Sequence, residues 1–285
     1  MKVVFILGTG HCGATLLNVL FDSHSQVFGV GELHAARAGS ICTCGKPASE
    51  CHVWQNALGP LPWTEQVMFK RKLDFLFDRG AYRFVQAPDG IDAEKYIADN
   101  VDIFRKLLSG SKKSVIVDAS KEPERAELLS ASPDIEPIVI HLVRDGRGVT
   151  WAYIRKYTNI FPHFYLWALS NLKIEIFRHR FARKFGGRGK FIYLRFADLA
   201  NDTEHTLRFL CDEIGIPYEP GMLLFDEHEH HQVEGNRMRF VRGHTIHKDV
   251  GGANMPYPLR AFWTTCFGLL NVYYTRIRKT SVADS

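Results

Sequence analysis

Short apolar stretches alternate with amphipathic stretches along much of the chain. Runs rich in β-branched and aromatic residues predict β-strands at residues 3–7, 114–117, 137–143 and 190–196. Apolar residues at helical spacing predict α-helices at residues 15–23, 123–130, 147–157, 164–185 and 203–214. The last of these helices has Asn201 and Asp202 where an N-cap is expected and Gly215 where a helix commonly ends.

This order of elements predicts an α/β fold, because strands that alternate with helices usually form a parallel sheet between two layers of helices. Two long inserts interrupt the alternation, at about residues 35–111 and 225–258. Inserts at strand ends commonly build substrate pockets and lids. We therefore expect a single domain over residues 1–280 with two pocket-forming inserts, followed by a disordered tail at 281–285.

Composition and charge narrow the class of ligand. The 285 residues are 46% hydrophobic and 24% charged, which is typical of a globular protein with a sizeable core. The formal net charge is +5, and the basic residues are scattered rather than clustered. This distribution favours a small anionic ligand and gives no indication of a nucleic-acid surface.

Neither end of the chain predicts a membrane span. The first apolar run ends in Gly, Thr and His residues too early for a signal sequence, which predicts a cytoplasmic protein. Residues 261–275 are uncharged and rich in aromatic side chains, but they are too few to cross a bilayer. We expect a buried or amphipathic helix there, with membrane association as the alternative.

The loop after the first strand is typical of an anion site. Residues 8–15, GTGHCGAT, have the Gly-x-x-x-x-Gly spacing and terminal Thr of a nucleotide-triphosphate loop, and an apolar helix follows directly. The usual lysine position is occupied by Ala14. Without that cation the loop is poorly suited to the β- and γ-phosphates of ATP. The sequence therefore predicts an anion site that does not bind a triphosphate.

Five segments in order resemble one known family. They are residues 6–17 (ILGTGHCGATLL) followed by 30–32 (VGE), residues 117–121 (VDASK), 141–149 (HLVRDGRGV), 193–199 (YLRFADL) and 235–239 (GNRMR). They resemble the 5′-phosphosulfate loop, a bacterial-type Asp-Ser-Ser-Lys element, the 3′-phosphate motif and two later motifs of the sulfotransferases that use 3′-phosphoadenosine 5′-phosphosulfate (PAPS). The resemblance implies the P-loop-like sulfotransferase fold.

The resemblance also implies a reaction and a donor site. It implies transfer of a sulfuryl group from PAPS to a hydroxyl or amine of a small-molecule acceptor, with the bisphosphate PAP as product and no metal required. The implied donor-binding residues are Gly8, Thr9, Gly10, His11, Cys12, Gly13, Ala14, Thr15, Leu16, Arg144, Ala152, Phe196, Asn236, Arg237 and Arg239. A guanidinium at a strand end, such as that of Arg144, can bind a phosphate through two parallel charge-assisted hydrogen bonds.

Three positions depart from the family pattern. His11 replaces an Arg or Lys, and an anionic donor beside it should favour the protonated imidazole. Ala14 replaces one Thr of a Thr-Thr pair, although Thr15 retains a hydroxyl. Ala152 replaces a Ser that contacts the 3′-phosphate, a role that Thr150 is near enough in sequence to take.

The predicted catalytic residues are Glu32, His11, Lys121 and Asp118. His11 and Lys121 would stabilise the sulfuryl oxygens in an in-line displacement. Glu32 is the first choice for the base that takes the acceptor proton, with Asp118 and His34 as alternatives. A salt bridge or a loop-capping contact is the competing interpretation of Glu32.

The cysteines permit several interpretations. Cys42, Cys44 and Cys51, followed by His52, are crowded as in a zinc site, but they lack the spacing of paired Cys-x-x-Cys knuckles. Free thiols and a disulfide are the alternatives, and we predict no metal ligand. We interpret the run 228–231, HEHH, as facing solvent. Cys12 would be reactive if the helix N-terminus lowers its pKa.

Other interpretations stay open at this point. The aromatic residues of the first insert can be either core or an acceptor pocket: Trp54, Trp63, Phe69, Phe75 and Phe77. A small-molecule kinase or another nucleotide phosphotransferase shares the predicted architecture, and a catalytically weak adenine-nucleotide binder is compatible with His11 and Ala152.

Overall fold

A five-stranded parallel sheet forms the centre of the protein. The computed structural model describes residues 1–37, 39–59, 92–156, 161–240, 243, 245–278 and 280. The sheet has the strand order β2-β3-β1-β4-β5. Its strands are β1 (Lys2–Leu7), β2 (Val27–Gly31), β3 (Val115–Asp118), β4 (Glu136–Val143) and β5 (Lys190–Arg195).

Helices cover both faces of this sheet. In chain order they are α1 (Ala14–Asp22), α2 (His52–Leu58), α3 (Ala93–Ser111), α4 (Pro123–Ser130), α5 (Gly146–Lys156), α6 (Phe161–Phe185), α7 (Phe196–Asn201), α8 (Thr203–Ile214) and α9 (Tyr257–Val272). A π-helical turn, Tyr273–Ile277, continues from α9. The predicted α/β class is confirmed, and the boundaries predicted for α4 and α8 agree with those observed.

The alternation of side chains along β1 explains the three layers. Val3, Phe5 and Leu7 pack into a core with residues of α2, α3, α4 and α6. Val4 and Ile6 point to the other face and pack with α1 and α8. Neighbouring residues of a strand face opposite sides of the sheet. A continuous apolar run such as Val3 to Leu7 must therefore be covered by other elements on both faces.

The strand β2 was not predicted, because two of its five residues are glycines that weaken the β pattern. Gly29 is required by packing: a Cβ there would lie 2.9 Å from the Cβ of Asp22 and 3.0 Å from an Asn18 side-chain oxygen. Gly31 has a φ of 78°, and its position for a Cβ lies 2.3 Å from the Val233 carbonyl oxygen. These glycines let α1 and the second insert approach the strand closely.

The second insert returns to the sheet. Val233 forms a parallel bridge with Gly31, and the Glu32 amide donates a 3.0 Å hydrogen bond to the Val233 carbonyl. His230 was expected to face solvent but is buried, since its ring contacts the Asp22 carboxylate at 2.6 Å and the Phe225 carbonyl at 2.6 Å. The prediction for this histidine was wrong because a long-range carboxylate on α1 is its partner.

The first insert contributes α2 and α3 to the core. Trp54 is fully buried, which favours the core interpretation for this aromatic residue. Trp63, Phe69, Phe75 and Phe77 lie outside the described residues, as does the tail at 281–285. Within the described residues, no helix combines the length and the apolar character that crossing a membrane requires. The helix α9 is buried on one side only: Trp263 is buried, whereas the apolar side chains of Phe262 and Leu269 are exposed.

The strand order determines where a ligand can bind. From β1 the chain passes to β2 and β3 on one side of the sheet and then crosses to β4 and β5 on the other. In open parallel sheets the crevice at such a reversal, at the carboxyl ends of the strands, is the usual ligand site. Here this crevice lies beyond the carboxyl end of β1, between β3 and β4.

Candidate active site

The loop between β1 and α1 ends in an uncapped helix N-terminus. Gly13 occupies the N-cap position with a φ of 105°, and it has no side chain to cap the helix. The first helical hydrogen bond runs from the Leu17 amide to the Gly13 carbonyl at 3.1 Å. The amides of the first helical turn before Leu17 therefore have no carbonyl acceptor within the helix. Together with the helix dipole, they form a site that favours an anion.

Two aromatic side chains support this loop where its glycines lie. A Cβ on Gly10 would lie 2.0 Å from the Tyr153 hydroxyl, and a Cβ on Gly13 would lie 2.3 Å from the Phe196 ring. His11 between them has a φ of 63°, which is uncommon for a residue other than glycine. The loop is thus packed against α5 and the start of α7, which fixes its shape.

Most of the other residues predicted to form the loop are buried. Thr9 is buried, and its carbonyl accepts a 3.3 Å hydrogen bond from the Cys12 amide. A Cβ on Gly8 would lie 2.6 Å from the Leu142 carbonyl oxygen. Ala14 and Leu16 are also buried. Burial raises the pKa of the Cys12 thiol, so desolvation outweighs the helix N-terminus and the thiol is not activated.

Arg144 extends from the end of β4 to the rim of the loop. Its Nη1 donates to the His11 carbonyl at 3.3 Å, and its Nε donates to the Asp249 carboxylate at 3.2 Å. Its guanidinium carbon lies 4.6 Å from the centre of the Phe196 ring. These contacts orient the guanidinium beside the loop, with about a quarter of the side chain exposed (26%).

Arg147, one turn further on, is engaged elsewhere. Its Nε and Nη2 donate to the two carboxylate oxygens of Asp145 at 3.0 and 2.6 Å. Thr150 is fully buried and Ala152 is partly exposed on the same helix. Of the two arginines in this segment, Arg144 is therefore the one that the loop contacts.

Lys121 and Glu32 form an ion pair on the opposite side of the loop. Lys121 lies just beyond β3 with a φ of 62°, and its ammonium donates to the Glu32 carboxylate and, at 3.1 Å, to the Ala119 carbonyl. The ammonium is almost completely buried, whereas 24% of the Glu32 side chain is exposed. The carboxylate is thus the accessible member of the pair.

The segment at residues 235–239 borders the loop on the side of the Lys121–Glu32 pair. The Asn236 amide donates to the Thr15 hydroxyl at 3.3 Å. The position for a Cβ on Gly235 lies 3.6 Å from Glu32 Oε1. Arg239 donates to the Gly235 carbonyl at 2.8 Å and the Ile41 carbonyl at 3.2 Å, while Arg237 is exposed. Of the two arginines, Arg239 holds the backbone of this segment.

His11 lies among cations in the ligand-free protein. Burial lowers its pKa from 6.5 to about 4, and the charges of Lys156, Arg144 and Lys121 act in the same direction. The imidazole is therefore neutral near pH 7 before an anion binds. The sequence predicts a protonated His11 beside an anionic donor, and that state requires the charge of the bound anion.

The two alternative bases have other partners. The Asp118 carboxylate is buried, forms an ion pair at 2.9 Å with the buried Arg125 guanidinium, and accepts a 2.9 Å hydrogen bond from the Ser120 amide. His34 is also buried, and burial lowers its pKa. Of the three predicted bases, Glu32 has the side chain that is most exposed to solvent.

Three functional candidates were missed in the sequence. Tyr153 and Lys156 lie three residues apart on α5, so they share a face, and both approach His11. The ring centres of Tyr153 and His11 are 4.7 Å apart. A helical projection of α5 would have found this pair. Asp249, which binds Arg144, lies in a loop with no local pattern that identifies it.

The chain is similar to known proteins in structure but not in sequence. No family model matches the chain, and no curated protein matches it in sequence. A sulfotransferase domain from the curacin biosynthetic pathway is similar in structure, with a TM-score of 0.56 and 18% identity, over 94% of this chain and 97% of that one.

Two further solved structures are more distant. The sulfotransferase domain of the Synechococcus PCC 7002 olefin synthase has 18% identity over 93% of this chain and 88% of that one, with a TM-score of 0.47. The sulfotransferase STF9 from Mycobacterium avium has 14% identity over 77% of this chain and 65% of that one, with a TM-score of 0.43. The curacin-pathway domain, which spans nearly all of both chains, carries the conclusion that this chain has the fold of the sulfotransferase superfamily.

Proposed function

We propose that the protein is a sulfotransferase that moves a sulfuryl group from PAPS to a hydroxyl or amine of a small-molecule acceptor. The observation that carries the proposal is the position of the anion loop, which ends at a helix N-terminus without a side-chain cap from Gly13. Arg144 lies on one side of this loop and the Lys121–Glu32 pair lies on the other. This arrangement suits a ligand with two separate anionic groups, one of them next to a base.

The residues at the loop fit the donor. The amides that begin α1 would bind the 5′-phosphosulfate, and Arg144 would bind the 3′-phosphate. Arg144 already has its guanidinium ordered by His11, Asp249 and Phe196, so less rotational entropy is lost on binding. Ala152, Phe196, Asn236, Arg237 and Arg239 complete the proposed donor site.

When bound, PAPS supplies a sulfuryl group activated by a phosphate leaving group. Glu32 is proposed to accept the proton of the acceptor hydroxyl or amine, since its carboxylate is the accessible member of the ion pair. Lys121 would hold that carboxylate and stabilise negative charge on the sulfuryl oxygens. His11 would donate a hydrogen bond from the loop.

Asp118 is proposed to act as a positioning residue. Its carboxylate binds the Arg125 guanidinium and the Ser120 amide, which fixes the backbone that leads from β3 into Lys121. In this role it keeps Lys121 in its left-handed conformation. It would not contact the reacting atoms.

Thermal unfolding in the presence of 3′,5′-adenosine bisphosphate (PAP), compared with ATP plus Mg²⁺, tests the donor. At about a hundred times its dissociation constant, a ligand stabilises the folded state by about 2.7 kcal/mol. We expect stabilisation by PAP and none by ATP plus Mg²⁺, since Ala14 replaces the phosphate-binding lysine of a triphosphate loop. A shift with ATP and Mg²⁺ alone would support a kinase.

Transfer of radiolabelled sulfate from PAPS to a panel of phenols, alcohols and amines tests the reaction. Labelled product that disappears in Glu32→Gln supports the proposed enzyme. Tight PAP binding with no product across the whole panel would instead identify a nucleotide-binding protein without transferase activity.

A further inference from the structure

Three cysteines of the first insert and one histidine of the second insert meet beside the sheet. One ligand atom from each of Cys42, Cys44, Cys51 and His231 lies within 4.8 Å of the other three. The His231 Nδ1 atom lies 3.8 Å from the Cys42 sulfur and 3.4 Å from the Cys51 sulfur. In the sequence the three cysteines are grouped with His52, and His231 is predicted to face solvent; in the structure His231 is the fourth member of the cluster.

These separations are close to the distances between ligand atoms around a tetrahedral zinc ion. With bonds of about 2.3 Å to sulfur and about 2.0 Å to nitrogen, tetrahedral Zn²⁺ places sulfur about 3.5 Å from nitrogen and about 3.8 Å from sulfur. The two measured sulfur–nitrogen distances, 3.8 and 3.4 Å, bracket the first value. An ion would need shifts of about 1 Å or less at the sulfurs.

The backbone holds Cys42 and Cys44 in a tight turn. The Cys42 amide donates to the Lys46 carbonyl at 2.9 Å, and the Gly45 amide donates to the Cys42 carbonyl at 2.8 Å. Gly45 has a φ of 87°, a conformation that glycine adopts without strain. This turn keeps Cys42 and Cys44 close together without any metal.

His231 is oriented for ligation by its own neighbours. Its Nε2 atom lies 3.2 Å from a Glu229 carboxylate oxygen, so Nδ1 faces the sulfurs. A histidine that binds a metal usually gives its other ring nitrogen such a carboxylate partner. The His231 carbonyl accepts a 2.7 Å hydrogen bond from the Trp54 indole, and the Thr43 amide donates to the Gln232 carbonyl at 3.1 Å. The ligand positions are thus held by contacts that do not involve a metal.

We propose that Cys42, Cys44, Cys51 and His231 bind one Zn²⁺ ion in a closed structural site. Three thiolates and one imidazole favour Zn²⁺ over Mg²⁺ or Ca²⁺ and leave no coordination position for a substrate. On binding, the three thiols release their protons and no oxidation occurs. A disulfide would join two of the sulfurs and leave the third sulfur and the imidazole without a role.

The site ties the second insert to the first. His231 lies two residues before Val233, which pairs with Gly31, and four residues before Gly235, which lies beside Glu32 and Thr15. The ion would therefore hold the edge of the donor site in place while taking no part in sulfuryl transfer. The zinc site does not depend on the proposed activity, because it has its own ligands and its own measurement.

Metal analysis of the purified protein tests the proposal directly. Expressed with zinc and kept under reductant, the wild-type chain should contain about one zinc ion after gel filtration. Cys44→Ser and His231→Gln should each weaken zinc affinity by about tenfold or more in competition with a chromophoric chelator. The matched controls are Cys266→Ser and His228→Gln, which change an exposed cysteine and a neighbouring histidine outside the cluster. Both controls should retain wild-type zinc.

A second measurement uses the wild-type chain, so it does not depend on whether variants fold. Replacing zinc with Co²⁺ should produce the intense visible absorption of a tetrahedral thiolate site together with thiolate-to-cobalt charge transfer. Less than about a tenth of an equivalent of zinc, together with no Co²⁺ spectrum in the reduced protein, would overturn the proposal. A Cys–Cys bridge that mass spectrometry detects under the same reducing conditions would overturn it as well.

Discussion

The Lys121 ammonium and the Glu32 carboxylate contact each other across 89 residues of chain. The contact joins the end of β3 to the end of β2 at the mouth of the anion loop. Because Lys121 also donates to the Ala119 carbonyl, the lysine is held from two sides while part of the carboxylate stays open to solvent. The Glu32 side chain is therefore more accessible from solvent than the Lys121 side chain.

Glu32→Gln should reduce kcat by about a hundredfold to ten-thousandfold, because general-base catalysis usually contributes that much. The amide can still accept from Lys121, so the affinity for PAP should change by less than about threefold. Steady-state kinetics and calorimetric titration measure the two effects. Glu50→Gln is the control, an exposed carboxylate in the first insert. Turnover that stays at the wild-type rate would remove Glu32 from the base role.

Arg144→Ala should weaken PAP binding by about 10-fold to 150-fold, the equivalent of about 1.5–3 kcal/mol for hydrogen bonds to a charged group. Binding of adenosine 5′-monophosphate should change little, because this ligand lacks the 3′-phosphate. Fluorescence or calorimetric titration with both ligands separates the two effects.

The matched variant for Arg144→Ala is Arg147→Ala, since the Arg147 guanidinium is occupied by Asp145. We expect the affinity for PAP to remain within about threefold in this variant. Equal losses for the two ligands in Arg144→Ala would show that the guanidinium does not recognise the 3′-phosphate.

Binding of PAP should be accompanied by proton uptake at His11. Its pKa in the ligand-free protein is about 4, so the imidazole is neutral above that pH and an adjacent anion raises the pKa toward or above 6.5. Affinity should therefore increase as the pH falls from about 8 to about 6. Calorimetry in two buffers of different ionisation enthalpy counts the protons. His11→Gln should abolish the part of the uptake that belongs to the imidazole, and the same proton count in both proteins would contradict the assignment.

Asp118→Asn should lower the free energy of unfolding by about 3–5 kcal/mol, because it leaves the Arg125 guanidinium buried without its charge partner. Urea unfolding followed by circular dichroism measures the loss. Glu204→Gln, which breaks the exposed pair with Arg208, is the control and should cost about 0.5 kcal/mol or less. Equal losses of unfolding free energy in the two variants would show that the buried Asp118–Arg125 pair stabilises the protein no more than an exposed pair does.

The sequence predicted the elements that have a regular apolar pattern or recognisable capping residues. The strand β1 is apolar from Val3 to Leu7, and α8 has a capping Asp202 and a terminal Gly215, so both elements were found from local pattern. The strand β2 was not found, because Gly29 and Gly31 are fixed by contacts with α1 and with Val233 rather than by their own preference. Contacts between distant segments leave no such signal in a single sequence.

The same distinction applies to the candidate site. Gly10, Gly13 and Arg144 stand in a recognisable local motif, and the structure brings them together around the loop. His231 is 180 residues from Cys51, and its neighbours suggested only a polar loop. The lowered pKa of His11 depends on burial and on three cations from other elements, none of which the loop sequence contains.

The bridge between Gly31 and Val233 also affects the biosynthesis of the site. The segment that borders the anion loop is about two hundred residues downstream of it, which corresponds to about 10–40 s of translation at usual rates. Throughout that interval Gly31 lacks the backbone partner that Val233 provides. The border of the site can therefore form only after the second insert has been made.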